Sequence, residues 1–211
     1  WTQNTYTLTI DTANGSDVTT KTLVYGETYE IPAAEKTGYT FASWRVADES
    51  ANVATTVDGN TVTMGDGDAT VTAVWTANKY TIVFDGNGAT SGATATMTAC
   101  EYDSTYALIA NGFEKTGYTF LGWAATKGGA VVYEDGAEVT NLASENNTTV
   151  TLYAVWDILG YTFTITNDGK GTATASYADV TGVTSAKVNY NTEVTVEAVA
   201  NTGYHFSKWE V

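Results

Sequence analysis

One phrase occurs three times in this chain and limits what it can fold into. Lys36-Thr-Gly-Tyr-Thr-Phe-Ala-Ser-Trp44 returns as Lys115-Thr-Gly-Tyr-Thr-Phe-Leu-Gly-Trp123 and as Asn201-Thr-Gly-Tyr-His-Phe-Ser-Lys-Trp209. Other landmarks keep the same order around it. Each unit opens on an alternating segment: Tyr6-Thr-Leu-Thr-Ile10, Tyr80-Thr-Ile-Val-Phe84, Tyr161-Thr-Phe-Thr-Ile165. The first two close on Val71-Thr-Ala-Val-Trp75 and Leu152-Tyr-Ala-Val-Trp156. A motif that recurs in fixed order signals a tandem array of one folding unit. The spacing divides the chain into 6–75, a linker 76–79, 80–156, a linker 157–160, and 161–211, which reaches Val211 without a closing segment. Trp1 precedes Tyr6 as Trp75 precedes Tyr80, so residues 1–5 read as the tail of a preceding unit and its linker.

The pattern inside each unit is strand. Period-two alternation places Tyr6, Leu8 and Ile10 on one face and Thr7, Thr9 and Asp11 on the other. Threonine suits the second face because its branched side chain fits a pleated, half-wet surface. No long window has a helical period; at most a short helical turn fits 32–36 and 110–115. Turn chemistry separates the strands at Ala13-Asn-Gly-Ser16, Asp58-Gly-Asn60, Asp85-Gly-Asn-Gly88 and Asp168-Gly-Lys-Gly171, all rich in residues that tolerate positive φ. The linkers are four residues long and lack a flexible Gly/Ser tract, which predicts a semi-rigid rod.

Units this small bury limited apolar area. The 6 Trp, 14 Tyr and 6 Phe offset that, since each aromatic ring buries on the order of 150–250 Å². In the central motif Tyr39 and Phe41 share a strand face, and Trp44 has the opposite parity unless a bulge intervenes. Gly122 suits a bulge in the second unit. The tyrosines and phenylalanines read as core. Trp44, Trp123 and Trp209 divide between core and a row of half-exposed platforms for sugars or peptides.

The net charge is −15, with 10 acids to 3 bases in 6–75, 8 to 2 in 80–156 and 5 to 3 in 161–211. With no basic cluster, nucleic acid, polyanionic glycans and anionic membrane surfaces are disfavoured as partners. The single cysteine, Cys100, excludes an intrachain disulfide. The Thr-, Gly-, Asn- and aromatic-rich composition leans toward the outside of a cell. No transmembrane run is visible, and no membrane insertion is expected within this segment.

Together these landmarks resemble the internalin-type B-repeat, or Listeria–Bacteroides repeat, of bacterial surface proteins. The match is carried by Tyr80-Thr-Ile-Val-Phe-Asp-Gly-Asn-Gly88, Gly117-Tyr-Thr-Phe-Leu-Gly-Trp123 and Thr151-Leu-Tyr-Ala-Val-Trp156. Unit one departs at Ala42-Ser43 and in its longer acidic middle around Asp48-Glu49, and unit three looks like the divergent variety of the repeat. The resemblance implies a mostly β fold of small β-grasp-like units, a mixed sheet with the usual helix reduced or absent. It implies secretion, attachment at a bacterial surface, and no catalytic residues.

No catalytic constellation is legible, and no metal site or cofactor is expected. His205 stands alone between Tyr204 and Phe206, on the strand face away from those rings. Cys100 has no histidine near it in sequence and no nucleophile signature. Asp66-Gly-Asp68 and Glu134-Asp135 are candidates for a weak calcium site, but the twelve-residue loop pattern is missing. Asp85-Gly-Asn-Gly88 is better explained as a hairpin turn. Asn14-Gly-Ser16, Asn146-Asn-Thr148 and Asn147-Thr-Thr149 match the glycosylation pattern and carry little weight in a bacterial protein. A Lys–Asn or Lys–Asp crosslink would need a buried pair that sequence cannot place. The expectation is a non-enzymatic extracellular stalk or adhesin segment, whose partner is a ligand on a host or neighbouring cell. The alternative is a fibre subunit that binds itself head to tail by strand complementation.

Overall fold

The alternating segments form strands, and no helix interrupts them. The computed structural model describes residues 1–211 in full. In the first repeat the opening strand Thr5–Asp11 pairs antiparallel with Thr19–Val24 on one side. On its other side it pairs in parallel with the closing strand Ala69–Ala77. The motif strand Tyr39–Asp48 runs antiparallel along the far edge of the closing strand. The result is a four-stranded mixed sheet with the first and last strands of the repeat side by side at its centre.

Side-chain alternation then builds the core. Leu8 and Ile10 point inward from the opening strand and Ala69 and Val71 from the closing one. They meet Val62 from a small three-stranded sheet made of Thr28–Glu30, Thr61–Thr63 and Thr56–Asp58, and Met64 just after its middle strand. This ribbon takes the cover that a helix supplies in a β-grasp fold. Burying a side chain such as Leu8 is worth about 1.5–3 kcal/mol, so a few such residues dominate the stability of a unit this size.

The second repeat repeats the order with Met97–Glu101, Lys79–Asp85, Thr148–Ile158 and Tyr118–Ala124. Its buried set is more aromatic, with Tyr80, Phe84 and Trp123 beside Ile82, Leu108 and Leu152. The helical turn allowed at 110–115 does not form. Gly112 and Phe113 instead approach the Ser91–Gly92 segment, where Phe113–Glu114 pairs with it as a short strand. Residues 32–36 form no helix either.

The third repeat departs from the plan. Gly160–Thr164 pairs only with Ser185–Asn189. A separate sheet is formed by Val180–Val183, Gly171–Tyr177 and Thr195–Ala200. Its only buried apolar residues are Ala173 and Ala175. The strand expected at Tyr204–Trp209 is absent, because no closing strand lies beside it to satisfy its backbone groups.

Packing divides the chain into two compact units that do not follow the repeats. The first contains Trp1–Val83, Thr96–Ile109 and Ala137–Thr151; the second contains Phe84–Ala95, Ala110–Gly136 and Leu152–Val211. The division falls within the second repeat.

Candidate functional site: motif tryptophans and repeat junctions

A bulge sets the direction of the motif tryptophan. In the first repeat Phe41 lies opposite Trp75, and the register then slips so that Ser43 faces Val74 and Trp44 faces Ala73. The second repeat slips at the same place, between Phe120 and Gly122. One extra residue reverses the parity, so phenylalanine and tryptophan come onto one face. Their ring centroids are 5.2 Å apart in the first repeat and 5.0 Å in the second. Phe206 and Trp209 keep the spacing at 5.2 Å without a strand.

The three tryptophans nevertheless have different surroundings. Trp44 is half-buried and its indole N–H donates to the Asn60 side chain at 3.1 Å. Trp123 is fully buried. The backbone of Val132 and Tyr133 folds back onto it through three hydrogen bonds, and Phe84, Phe113 and Phe120 surround its ring. Gly122 makes this closure possible: a Cβ there would lie 2.6 Å from the Tyr133 carbonyl oxygen. The first repeat has Ser43 at that place. Trp209 is 41% exposed and, with Tyr204, Phe206 and Lys170, lines an open cavity of about 540 Å³. An even row of platforms is therefore not what the fold presents. Trp123 offers no surface, Trp44 offers part of one, and only Trp209 is open.

The motif glycines explain a second set of residues. Gly38 has φ +78° and Gly117 φ +80°. A Cβ on Gly38 would lie only 2.2 Å from the ring of Tyr102, and a Cβ on Gly117 only 2.0 Å from the ring of Tyr190. Tyr102 and Tyr190 each belong to the following repeat, at the same place in it. The backbone repeats the contact: Asn78 N–H donates to the Gly38 carbonyl and Tyr102 N–H to the Asn78 carbonyl, at 2.8 and 2.9 Å. At the next junction Leu159 donates to Gly117 and Tyr190 to Leu159, at 2.8 and 2.7 Å. The residue after each tyrosine, Asp103 or Asn191, has a left-handed backbone that turns the chain.

Polar contacts reinforce the first junction. The Tyr39 hydroxyl donates to Asp103 at 2.8 Å, and Asp103 also accepts from the Asn141 amide at 2.8 Å. The Asn141 amide first and the Tyr39 hydroxyl second hold the Asp103 carboxyl below its usual range, and the same hydrogen bond raises the Tyr39 phenol. Lysine from the same motif covers the tyrosine ring, Lys36 over Tyr39 at 4.3 Å and Lys115 over Tyr118 at 4.4 Å. Asn201 replaces this lysine in the third repeat, and Lys170 stands over Tyr204 at 5.9 Å instead.

The acidic candidates have structural occupations. Asp66 accepts the Asn52 side-chain amide and the N–H groups of Asn52 and Val53, which lower its pKa to about 2. Asp68 accepts the Thr7 N–H at 2.7 Å. Burial pushes Asp48 upward, but the Ser50 hydroxyl and the N–H groups of Thr55 and Ser50 outweigh it and keep it low. Asp135 accepts the Asn111 N–H at 2.8 Å. In Asp85-Gly-Asn-Gly88, the Asn87 N–H donates to Asp85 within a turn. No group of three or more His, Cys, Asp or Glu side chains is placed to hold a metal ion. His205 is exposed, and Cys100 is a buried thiol pushed up by burial. No lysine is buried, and the three ion pairs all lie in solvent.

Comparison with known proteins agrees with this repeat geometry. Residues 6–79 and 161–211 match the divergent InlB B-repeat domain, and residues 80–155 match the Listeria-Bacteroides repeat domain. The chain belongs to the B-repeat family. The first repeat thus joins the third in the divergent class, and the second carries the other pattern. Two relatives from Evansella cellulosilytica are similar. One, named "Putative Gly-rich membrane protein", is 31% identical over 64% of this chain and 16% of its own length. The other, named "Putative membrane protein", is 30% identical over 74% of this chain and 23% of its own length. The B-repeat chain thus spans less than a quarter of either relative. Both families are repeat families, and no helix is long and apolar enough to cross a membrane. The families and the relatives together indicate a cell-envelope or extracellular location.

Proposed function

We propose that this array is a non-enzymatic extracellular spacer in a bacterial surface protein, carrying a distal domain away from the cell and adding weak adhesive contacts of its own. The observation that supports this best is the junction. The same glycine–tyrosine contact and the same pair of backbone bonds join repeat to repeat twice. A rule that is local to each junction lets length grow by adding repeats, and stability then accumulates from neighbour contacts. The acidic surface favours solubility and mutual repulsion. The partner of any adhesive contact is a ligand on a host or neighbouring cell, and Trp209 with its open cavity is its candidate seat. The test grafts residues 1–211 between a surface anchor and a binding domain displayed on bacteria. Access of a bulky probe to that domain should rise with the segment present and rise again when it is doubled. Unchanged access would sink the reading.

The free edge of Gly160–Thr164 favours a second reading. There the third repeat accepts a strand from a neighbouring chain and the protein assembles into a fibre. Light scattering over a wide concentration range decides. Mass growing in whole-chain steps supports the fibre, and a constant monomer rejects it.

A further inference from the structure

The first and last strands of a complete repeat lie side by side and run in the same direction. In the first repeat Leu8 faces Ala69, Thr9 faces Thr70, Ile10 faces Val71 and Asp11 faces Thr72. The chain enters at Thr5, at the start of one strand, and leaves at Ala77, at the end of the other. Entry and exit are therefore at opposite ends of the pair. Tension between the two ends of the repeat must slide one strand along the other. All the hydrogen bonds between them are loaded together, whereas a hairpin pulled from its open end loses them one at a time.

Side chains fasten both ends of the same pair. Asp68, just before the closing strand, accepts the Thr7 N–H at 2.7 Å. At the other end the Trp75 indole N–H donates to the Thr12 carbonyl at 2.7 Å. The second repeat has matching fasteners. The Asn146 side-chain oxygen accepts the Lys79 N–H at 3.0 Å beside a backbone bond from Asn147 N–H to the Lys79 carbonyl at 2.7 Å, and the Trp156 indole N–H donates to the Gly86 carbonyl at 2.9 Å. Lys79 near Asn147 and Gly86 near Trp156 mean that these two strands also run the same way. In the third repeat Gly160–Thr164 has no such partner.

We propose that each complete repeat is a tension-bearing clamp, whose parallel pair of terminal strands resists force applied along the chain. The closing tryptophan, half-buried in both complete repeats, is a fastener of that clamp. The biological load rests on the spacer reading above; the mechanical property does not.

The test is single-molecule pulling of the 211-residue chain in two directions. Handles at the two termini load the pair in shear. Handles on Ser16→Cys and Thr76→Cys, both exposed and both at the Asp11 end of the pair, peel it open. Cys100 is buried and does not take up a handle. Pulled by its termini, the chain should show two high-force steps, each releasing roughly 20–25 nm for a repeat of about seventy residues. Residues 161–211 should extend at low force. Peeling should open the first repeat at a force several-fold lower than shear. Equal forces in the two directions, or termini that separate without two distinct steps, would overturn the clamp. The display experiment decides the spacer reading separately, so a chain that lengthens reach yet yields at low force would reject the clamp alone.

Discussion

The ring of Tyr102 occupies the space that a side chain on Gly38 would need. Tyr190 stands in the same relation to Gly117. Two unrelated-looking features of the sequence, the motif glycine of one repeat and a tyrosine in the next, are thus halves of one contact. Each glycine is held at positive φ, which adds a backbone requirement to the steric one.

Alanine at these glycines should therefore cost more than strain alone. A left-handed backbone costs an L-residue about 1–2 kcal/mol. Gly203→Ala has that cost and nothing more, since Gly203 has φ +88° and no atom within 4 Å of its would-be Cβ. Gly38→Ala and Gly117→Ala must also displace a tyrosine ring. Urea unfolding of the three variants should rank Gly203→Ala as the mildest, and equal losses would remove the packing half of the argument.

Burial separates the motif tryptophans energetically. Trp123→Ala should destabilise by about 3–5 kcal/mol, as large core truncations do. Trp209→Ala should stay within about 0.5 kcal/mol, as expected of an exposed position. Acrylamide quenching checks the same point without unfolding. Single-tryptophan variants should show Trp123 shielded, Trp209 open and Trp44 between them.

Gly122 should be needed for that shielding. Its φ of +145° and its approach to the Tyr133 carbonyl leave no room for a side chain. Gly122→Ser, which copies the residue of the first repeat, should lift the segment carrying Val131 and Tyr133 and shift Trp123 fluorescence toward the red. An unchanged emission maximum would show that the backbone bonds to Trp123 close the site on their own.

Acid should loosen the first repeat through Asp66. Its folded pKa is about 2 against an ordinary value of 3.8, so the folded state prefers the carboxylate. The stability it contributes is complete above pH 4 and is lost as pH falls through 2. Asp66→Asn should weaken the protein at neutral pH and flatten the dependence of the urea midpoint between pH 5 and 2. A variant with the same pH profile as the parent would assign acid sensitivity to other carboxylates.

Much of this architecture was legible in the residues. Alternation in Tyr6–Ile10 and Tyr80–Phe84 marked strands, since a pleated backbone sends neighbouring side chains to opposite faces. The parity conflict at Trp44 pointed to a bulge, and both complete repeats have one. Asp58-Gly-Asn60 and Asp168-Gly-Lys-Gly171 lie in turns, with Gly59 and Gly169 at positive φ. The burial of Trp123 was harder to read, because it depends on residues 131–133 returning over the strand. Its one local trace was Gly122. The role of Tyr102 and Tyr190 was not visible, because the glycines they cover lie far away in sequence.

What the sequence determined by itself was the repeat, the strands, the turns and the family. Each of these follows from short-range rules of periodicity and backbone preference. Only the tertiary structure decided which tryptophan is sealed and which is open, why Gly38 and Gly117 must be glycine, and that Tyr204–Trp209 forms no strand. Those outcomes depend on what lies across the sheet or in the next repeat. A backbone becomes a strand, and a ring becomes core, only when a partner distant in sequence supplies the hydrogen bonds and the contact surface.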